Sequence, residues 1–105
     1  MIGMIQQGNL QIGQLVKILK GRGAGQIAVV VSIADSRFVY IADGDKRKFD
    51  QAKKKNVLHL MPQSKISSEI VNSLNESGRV TNGKLRHAVK TFLDSSEYQA
   101  EEKGD

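Results

Sequence analysis

Three short runs in this chain combine positive charge and backbone freedom at a spacing suited to holding phosphate. The first is Lys20-Gly21-Arg22-Gly23-Ala24-Gly25, with three glycines in five residues and two cations at the bend. Glycine lets a loop turn through positive φ, or lets another backbone come close. A loop tip of this kind can bring backbone N–H groups, Lys20 and Arg22 onto phosphate oxygens. The second and third runs, Lys46-Arg47-Lys48 and Lys53-Lys54-Lys55, put six cations into ten residues with only Asp50 opposing them. Such a field attracts polyanions, and each phosphate neutralised releases counterions, so binding of this type weakens with salt. Plain structural alternatives stand beside both readings. The glycines also suit a tight hairpin by geometry alone, and lysines also keep an edge strand soluble.

Other chemistries find less support. Gly21-x-Gly23-x-Gly25 lacks the spacing of a dinucleotide fingerprint and the Gly-Lys-Ser/Thr ending of a nucleotide phosphate loop. His59 and His87 have no cysteine near them and no acidic partners at ligand spacing. Asp35, Asp43, Asp45 and Asp50 lie in or near turns, where aspartate serves local hydrogen bonding. No serine stands in a nucleophile motif. The expectation is a protein without catalysis, metal, cofactor or small-molecule substrate. Phe38 and Tyr40 are of the type that stacks single-stranded bases on sheet faces, but they read more readily as core, as does Phe49. For a polyanionic partner, recognition of shape and backbone rather than of bases is therefore expected.

At 105 residues the chain suits one domain with an appendage, and with 5% aromatic residues and no Trp its core must be aliphatic. Cysteine is absent, which fits a reducing compartment. The longest apolar run, Ile27 to Val31, is far too short to span a membrane, and Met1-Ile2-Gly3-Met4-Ile5 lacks a signal-peptide pattern. A soluble, cytoplasmic protein with no membrane partner is expected. Charge is uneven: residues 1–65 hold eleven Lys and Arg against four Asp, whereas residues 66–105 hold five against seven Asp and Glu. The first two-thirds therefore carries the attraction for an anionic partner.

These groups need positioning elements. Leu10, Ile12, Val16 and Ile18 suggest a first strand, bulged near Gly13. Ile27 to Ala34 is β-branched and nearly continuous in apolar residues, which predicts a central strand. Arg37 to Ala42 alternates, after a turn at Asp35-Ser36, and Asp43-Gly44-Asp45 signals another turn. Lys46 to Phe49 reads as a short fourth strand and Val57 to Leu60 as a fifth, with the lysine-rich loop between. Five short strands in about fifty residues favour a small barrel, because closure removes exposed edges. Composition changes at Pro62. Ile66, Ile70, Val71 and Leu74 then recur at helical spacing, with Gly78 as the stop. Thr81 or Asn82 can cap a second helix with Leu85, Ala88, Val89, Phe92 and Leu93 as its apolar stripe.

The segment Gly13 to Ile33 resembles a KOW motif, with Gly25 at that motif's characteristic glycine. Continued through Ala34–Gly44, Lys46-Arg47-Lys48 and Lys54–Leu60, the pattern resembles the archaeal and eukaryotic large-subunit ribosomal protein of the fourteen-e type and its small bacterial relatives. The resemblance covers roughly residues 10–62. It implies a mainly β fold, an SH3-like five-stranded barrel followed by a two-helix extension, and a non-catalytic RNA-binding protein of the ribosome. The domains expected are a flexible lead over 1–9, the barrel over 10–62, a helical hairpin over 63–94 and an acidic flexible tail over 95–105. The RNA-binding residues expected are Lys20, Arg22, Gly23, Gly25, Lys46, Arg47, Lys48, Lys53, Lys54 and Lys55. Partners would be ribosomal RNA and the ribosome, with ribosomal proteins met through the C-terminal helices. Two other classes stay open: a transcription accessory factor, since elongation factors also carry KOW domains, and an SH3-like module that binds proteins.

Overall fold

The run Ile27-Ala28-Val29-Val30-Val31 has no polar residue to turn toward water, and all five side chains are buried. It lies in the middle strand of a five-stranded antiparallel sheet. In the computed structural model, which describes residues 10–95, the strands are β1 (Gln14–Ile18), β2 (Ile27–Ile33), β3 (Phe38–Ala42), β4 (Lys53–Asn56) and β5 (Leu60–Ile66). Their order across the sheet is β4-β3-β2-β1-β5. Two helices follow, α1 (Ser68–Ser77) and α2 (Asn82–Leu93). The expected lead over 1–9 and all of the acidic tail but Ser95 lie outside the described residues.

Both faces of the sheet are covered, which is why β2 shows no alternation. One face, with Val16, Ile18, Ala28, Val30, Val39 and Ile41, closes on Leu10, Val57 and Leu60. The other, with Leu15, Ile27, Val29, Val31 and Ala42, receives Ile70 from α1, Leu85 and Phe92 from α2, and Val80 between them. Tyr40 and Phe49 pack against this second cluster, in the core role expected for them. Helices of 10 and 12 residues are marginal in isolation, so their apolar stripes depend on the sheet. The ends at Gly78 and Thr81 follow the expected signals, and the cap at Ser67 is added by the structure. Ser67 and Thr81 are the N-caps, accepting from the Ile70 and Lys84 N–H groups, and Gly78 ends α1 in the left-handed region. Among the described residues no helix is long and apolar enough to cross a membrane.

The two edge strands follow each other in sequence, joined only by a 3-10 turn over Val57–His59. The step from Asn56 to Leu60 can span at most roughly 14 Å. Laid flat, five strands would hold their edges roughly 19 Å apart. The sheet must therefore curl, with the first cluster inside the curl. It does not close, because β4 and β5 share no ladder pairing and the sheet ends on both. This corrects the expectation of a barrel. At the corner the Asn56 side chain accepts the Leu58 N–H (2.8 Å), starting the turn where a closing strand would have continued.

Other boundaries differ for local reasons. Lys46–Phe49 is a turn leading into a 3-10 segment over Phe49–Gln51, and the lysine run beyond it forms β4 as an edge strand. Val57–His59 is a turn, and β5 begins at Leu60 and runs through Pro62 to Ile66. A proline is tolerated there because β5 is an edge strand, where one side needs no donor.

The β2–β3 turn is held by Asp35, whose Oδ1 accepts the N–H groups of Arg37 (2.8 Å) and Phe38 (2.9 Å). These donors, with the Arg37 bond the larger influence, hold the carboxyl below the ordinary aspartate range. Because the folded state favours the ionised form, this contribution is complete above the usual aspartate pKa and is lost as pH falls through the lowered value. NMR titration is expected to give Asp35 a midpoint below that of an exposed aspartate; a midpoint at or above it would refute the turn's role. Leu85, fully buried between α2 and the sheet, gives a second test. Leu85→Ala should cost about 2–5 kcal/mol in urea unfolding, and a cost under about 1 kcal/mol would mean that the helices are not packed as described.

Candidate functional site

The β1–β2 hairpin closes through a compact glycine loop. Ile18 N–H donates to Gln26 O (2.9 Å) and Gly25 N–H to Ile18 O (2.7 Å), while Ala24 and Gln26 donate to the carbonyls of Gly21 and Gly23. Gly21, Gly23 and Gly25 all lie near φ +90°, a conformation that L side chains avoid. The expected positive-φ turn is thus present. Its later amides are occupied within the loop, however, so Gly25 serves its geometry, and Arg22 at the tip offers the charge.

The second basic run is shaped by the turn that precedes it. Asp43 Oδ1 accepts the N–H groups of Asp45 and Arg47, both at 2.9 Å. Asp43 and Gly44 donate in turn to Arg47 O. These bonds fold residues 43–47 on themselves and prevent the alternation expected for a strand, so Lys46 and Arg47 end on the same side. Helix α2 fixes the turn from behind. Arg86 Nη1 donates to Gly44 O (2.8 Å), and Asn82 Oδ1 accepts the Phe49 N–H (2.8 Å). Gly44 approaches α2 so closely that a Cβ there would collide with the Asn82 carbonyl and press on Leu85.

In β4, alternation separates the three lysines. Lys53 and Lys55 pair with Ile41 and Val39 and share their face, whereas Lys54 pairs with Tyr40 and points to the other. Lys54 Nζ lies 5.0 Å from the centre of the Phe38 ring, a cation–π contact on that opposite side. Lys55 Nζ reaches across to donate to Lys20 O (2.9 Å), tying β4 to the glycine loop.

Together these segments enclose an open cleft of about 800 Å³, bounded by Gly21, Arg22, Gly23 and Gln26 from the loop, Asp43, Lys46 and Arg47 from the turn, and Lys53 and Lys55 from β4. Its floor is Ile18, Ala28, Ile41 and Ala42. Of the ten residues expected from sequence, Arg22, Gly23, Lys46, Arg47, Lys53 and Lys55 line the cleft. Lys20, Gly25, Lys48 and Lys54 do not. Lys20 contributes its carbonyl to Lys55, Lys48 Nζ donates to Asp45 O (3.1 Å), and Lys54 faces away. The one carboxylate at the cleft, Asp43, already accepts two backbone donors. Among the described residues the only ion pair is Lys90–Asp94 at the end of α2, so five cations face the cleft without an anionic partner. Sequence reading missed Gln26, Asp43 and the bracing pair Asn82 and Arg86. Only Asp43 carried a signal, as a turn former.

Fold and cleft define a small antiparallel β protein, backed by two helices, with an uncompensated cationic hollow on one side of a curled sheet. No family profile matches the chain. It is 44% identical over 71 residues to the Bacillus subtilis (strain 168) protein named "Putative ribosome-binding protein YbzG", a match that takes in 68% of this chain and 96% of that protein. The chain belongs to the family of that protein.

The glycines offer a paired test. Gly25 needs only its φ of +91°, since a Cβ there meets nothing within 4 Å, whereas Gly44 needs both its φ and the space beside α2. Gly25→Ala should cost about 1 kcal/mol. Gly44→Ala should cost more, about 2–3 kcal/mol, because the strained backbone must also separate from the helix. Denaturant unfolding of both variants checks this, and equal costs would show that α2 does not fix the turn.

Proposed function

We propose that this protein is a non-catalytic RNA-binding protein of the ribosome, acting in the cytoplasm and gripping ribosomal RNA through the cationic cleft. The observation that carries the reading is the cleft's charge: Arg22, Lys46, Arg47, Lys53 and Lys55 come from three separate segments to one side, with no ion-pair partner among the described residues. Five unneutralised cations at close range repel one another, and a polyanion relieves that repulsion while releasing its own counterions. The relative's printed name, a ribosome-binding protein, supports the ribosome as the place of that RNA. The resemblance of residues 10–62 to a KOW domain and to the fourteen-e type ribosomal protein adds the large subunit, and the curled five-stranded sheet is compatible with an SH3-like origin.

The helices enter this reading as braces. Arg86 Nη1 donates to Gly44 O, and Lys84 Nζ donates to Ser73 Oγ (2.8 Å) between the helices. These α2 cations thus serve the fold, and the RNA contact falls to the glycine loop, the turn at Asp43 and β4.

Replacing Arg22, Lys46 and Lys53 by Gln should flatten the dependence of log K on log salt by about 2–3 in RNA titrations. It should also release the protein from ribosomes during sedimentation in a sucrose gradient. Lys54→Gln, on the opposite face, should change the slope by less than about 1. A triple variant that remains folded, binds RNA with an unchanged slope and still sediments with ribosomes would refute the cleft as the contact.

A further inference from the structure

We propose that the cleft is a seat for one unpaired nucleotide of the bound RNA, held with its base on the apolar floor and its flanking phosphates on the cationic rim. The proposal rests on the RNA-binding reading above and makes it more specific. Contact with phosphates alone needs only cations and hydrogen-bond donors, and it leaves an apolar floor between them unused. Here the cations instead surround a concavity of about 800 Å³. Its floor is aliphatic: Ile18, Ala28 and Ile41 are each more than nine-tenths buried yet line the cleft. An aliphatic floor gives phosphate nothing, whereas the flat face of a nucleobase buries against it favourably.

The walls suit the rest of a nucleotide. Arg22 and Arg47 bring two guanidinium planes, on which unstacked bases lie in RNA complexes. Lys46 and Lys53 place compact charges at the rim for the phosphates on either side. Gln26 contributes an uncharged amide whose side chain makes no hydrogen bond among the described residues, leaving a donor and an acceptor for a base edge. No aromatic residue lines the cleft. Discrimination among bases would therefore be modest, and the feature recognised is the presence of an unpaired base. The same chemistry could come from a free nucleotide, which the test separates.

The experiment compares three RNA hairpins of one sequence at one salt concentration: fully paired, with a single 2-aminopurine bulge, and with an abasic bulge at the same position. Affinity is read by fluorescence anisotropy and base environment by 2-aminopurine emission. The bulged hairpin should bind about tenfold tighter than the paired or abasic one, with a change in emission on binding. Gln26→Leu, at an exposed position, should weaken that preference severalfold. Equal binding of all three hairpins with unchanged emission overturns the seat while the RNA-binding reading stands. An abasic bulge as good as the base also overturns it, since RNA flexibility then accounts for the preference. Guanosine or adenosine monophosphate binding as tightly as the bulged hairpin would overturn an RNA-borne occupant. If none of the hairpins binds, the function proposed above fails together with the seat.

Discussion

Three residues, Val57–His59, separate the two edges of the sheet, and the rest of the molecule follows from that short link. A flat sheet cannot be spanned by so little chain, so the strands coil and produce an inside and an outside. The inside becomes a small aliphatic core. The outside becomes a broad apolar surface that would be exposed without α1 and α2. At one end of the curl, β4 comes close enough to the glycine loop for Lys55 to donate to the Lys20 carbonyl. The cleft lies between these two elements and the turn at Asp43.

Electrostatics at the cleft run against the fold's own preference. Cations held together without anions destabilise a compact state, and a surface salt bridge would have offset that at little structural cost. The one carboxylate at the cleft is instead committed to backbone donors, and Arg86 is drawn away to a carbonyl on the far side of the turn. Rigidity comes from neutral contacts, the glycine hairpin and the close approach of Gly44 to α2. The charges themselves are left without ion-pair partners, although Lys55 and Arg47 each donate to a backbone carbonyl.

Much of this was legible because local rules and the global fold agree. Ile27–Val31 reads as a strand buried on both faces and is one. Gly78, Thr81 and the spacing of Leu85 and Phe92 mark the helices nearly to the residue. The glycine loop and the basic runs stood out by residue type and by the KOW resemblance, whereas their meeting at one cleft is a product of the fold. What failed were positions ruled by partners distant in sequence. Lys46–Lys48 looked like a strand because nothing local announces that Asn82 and Arg86 anchor that loop. Pro62 looked like a boundary because an edge position, where proline does no harm, cannot be known before the strand order. Lys54 looked equivalent to its neighbours until pairing with β3 assigned it to the other face. Closure into a barrel is likewise a matter of which backbone groups meet at the corner where Asn56 caps the turn over Val57–His59.

The hydrogen bond from Arg86 to the Gly44 carbonyl joins groups 42 residues apart. Synthesis proceeds from the N-terminus, so every cation of the hollow leaves the translating machinery before the arginine that sets its shape. A half-made chain therefore carries those charges without the bond that fixes the turn between them. The bond can form only once α2 has been made and lies against the sheet.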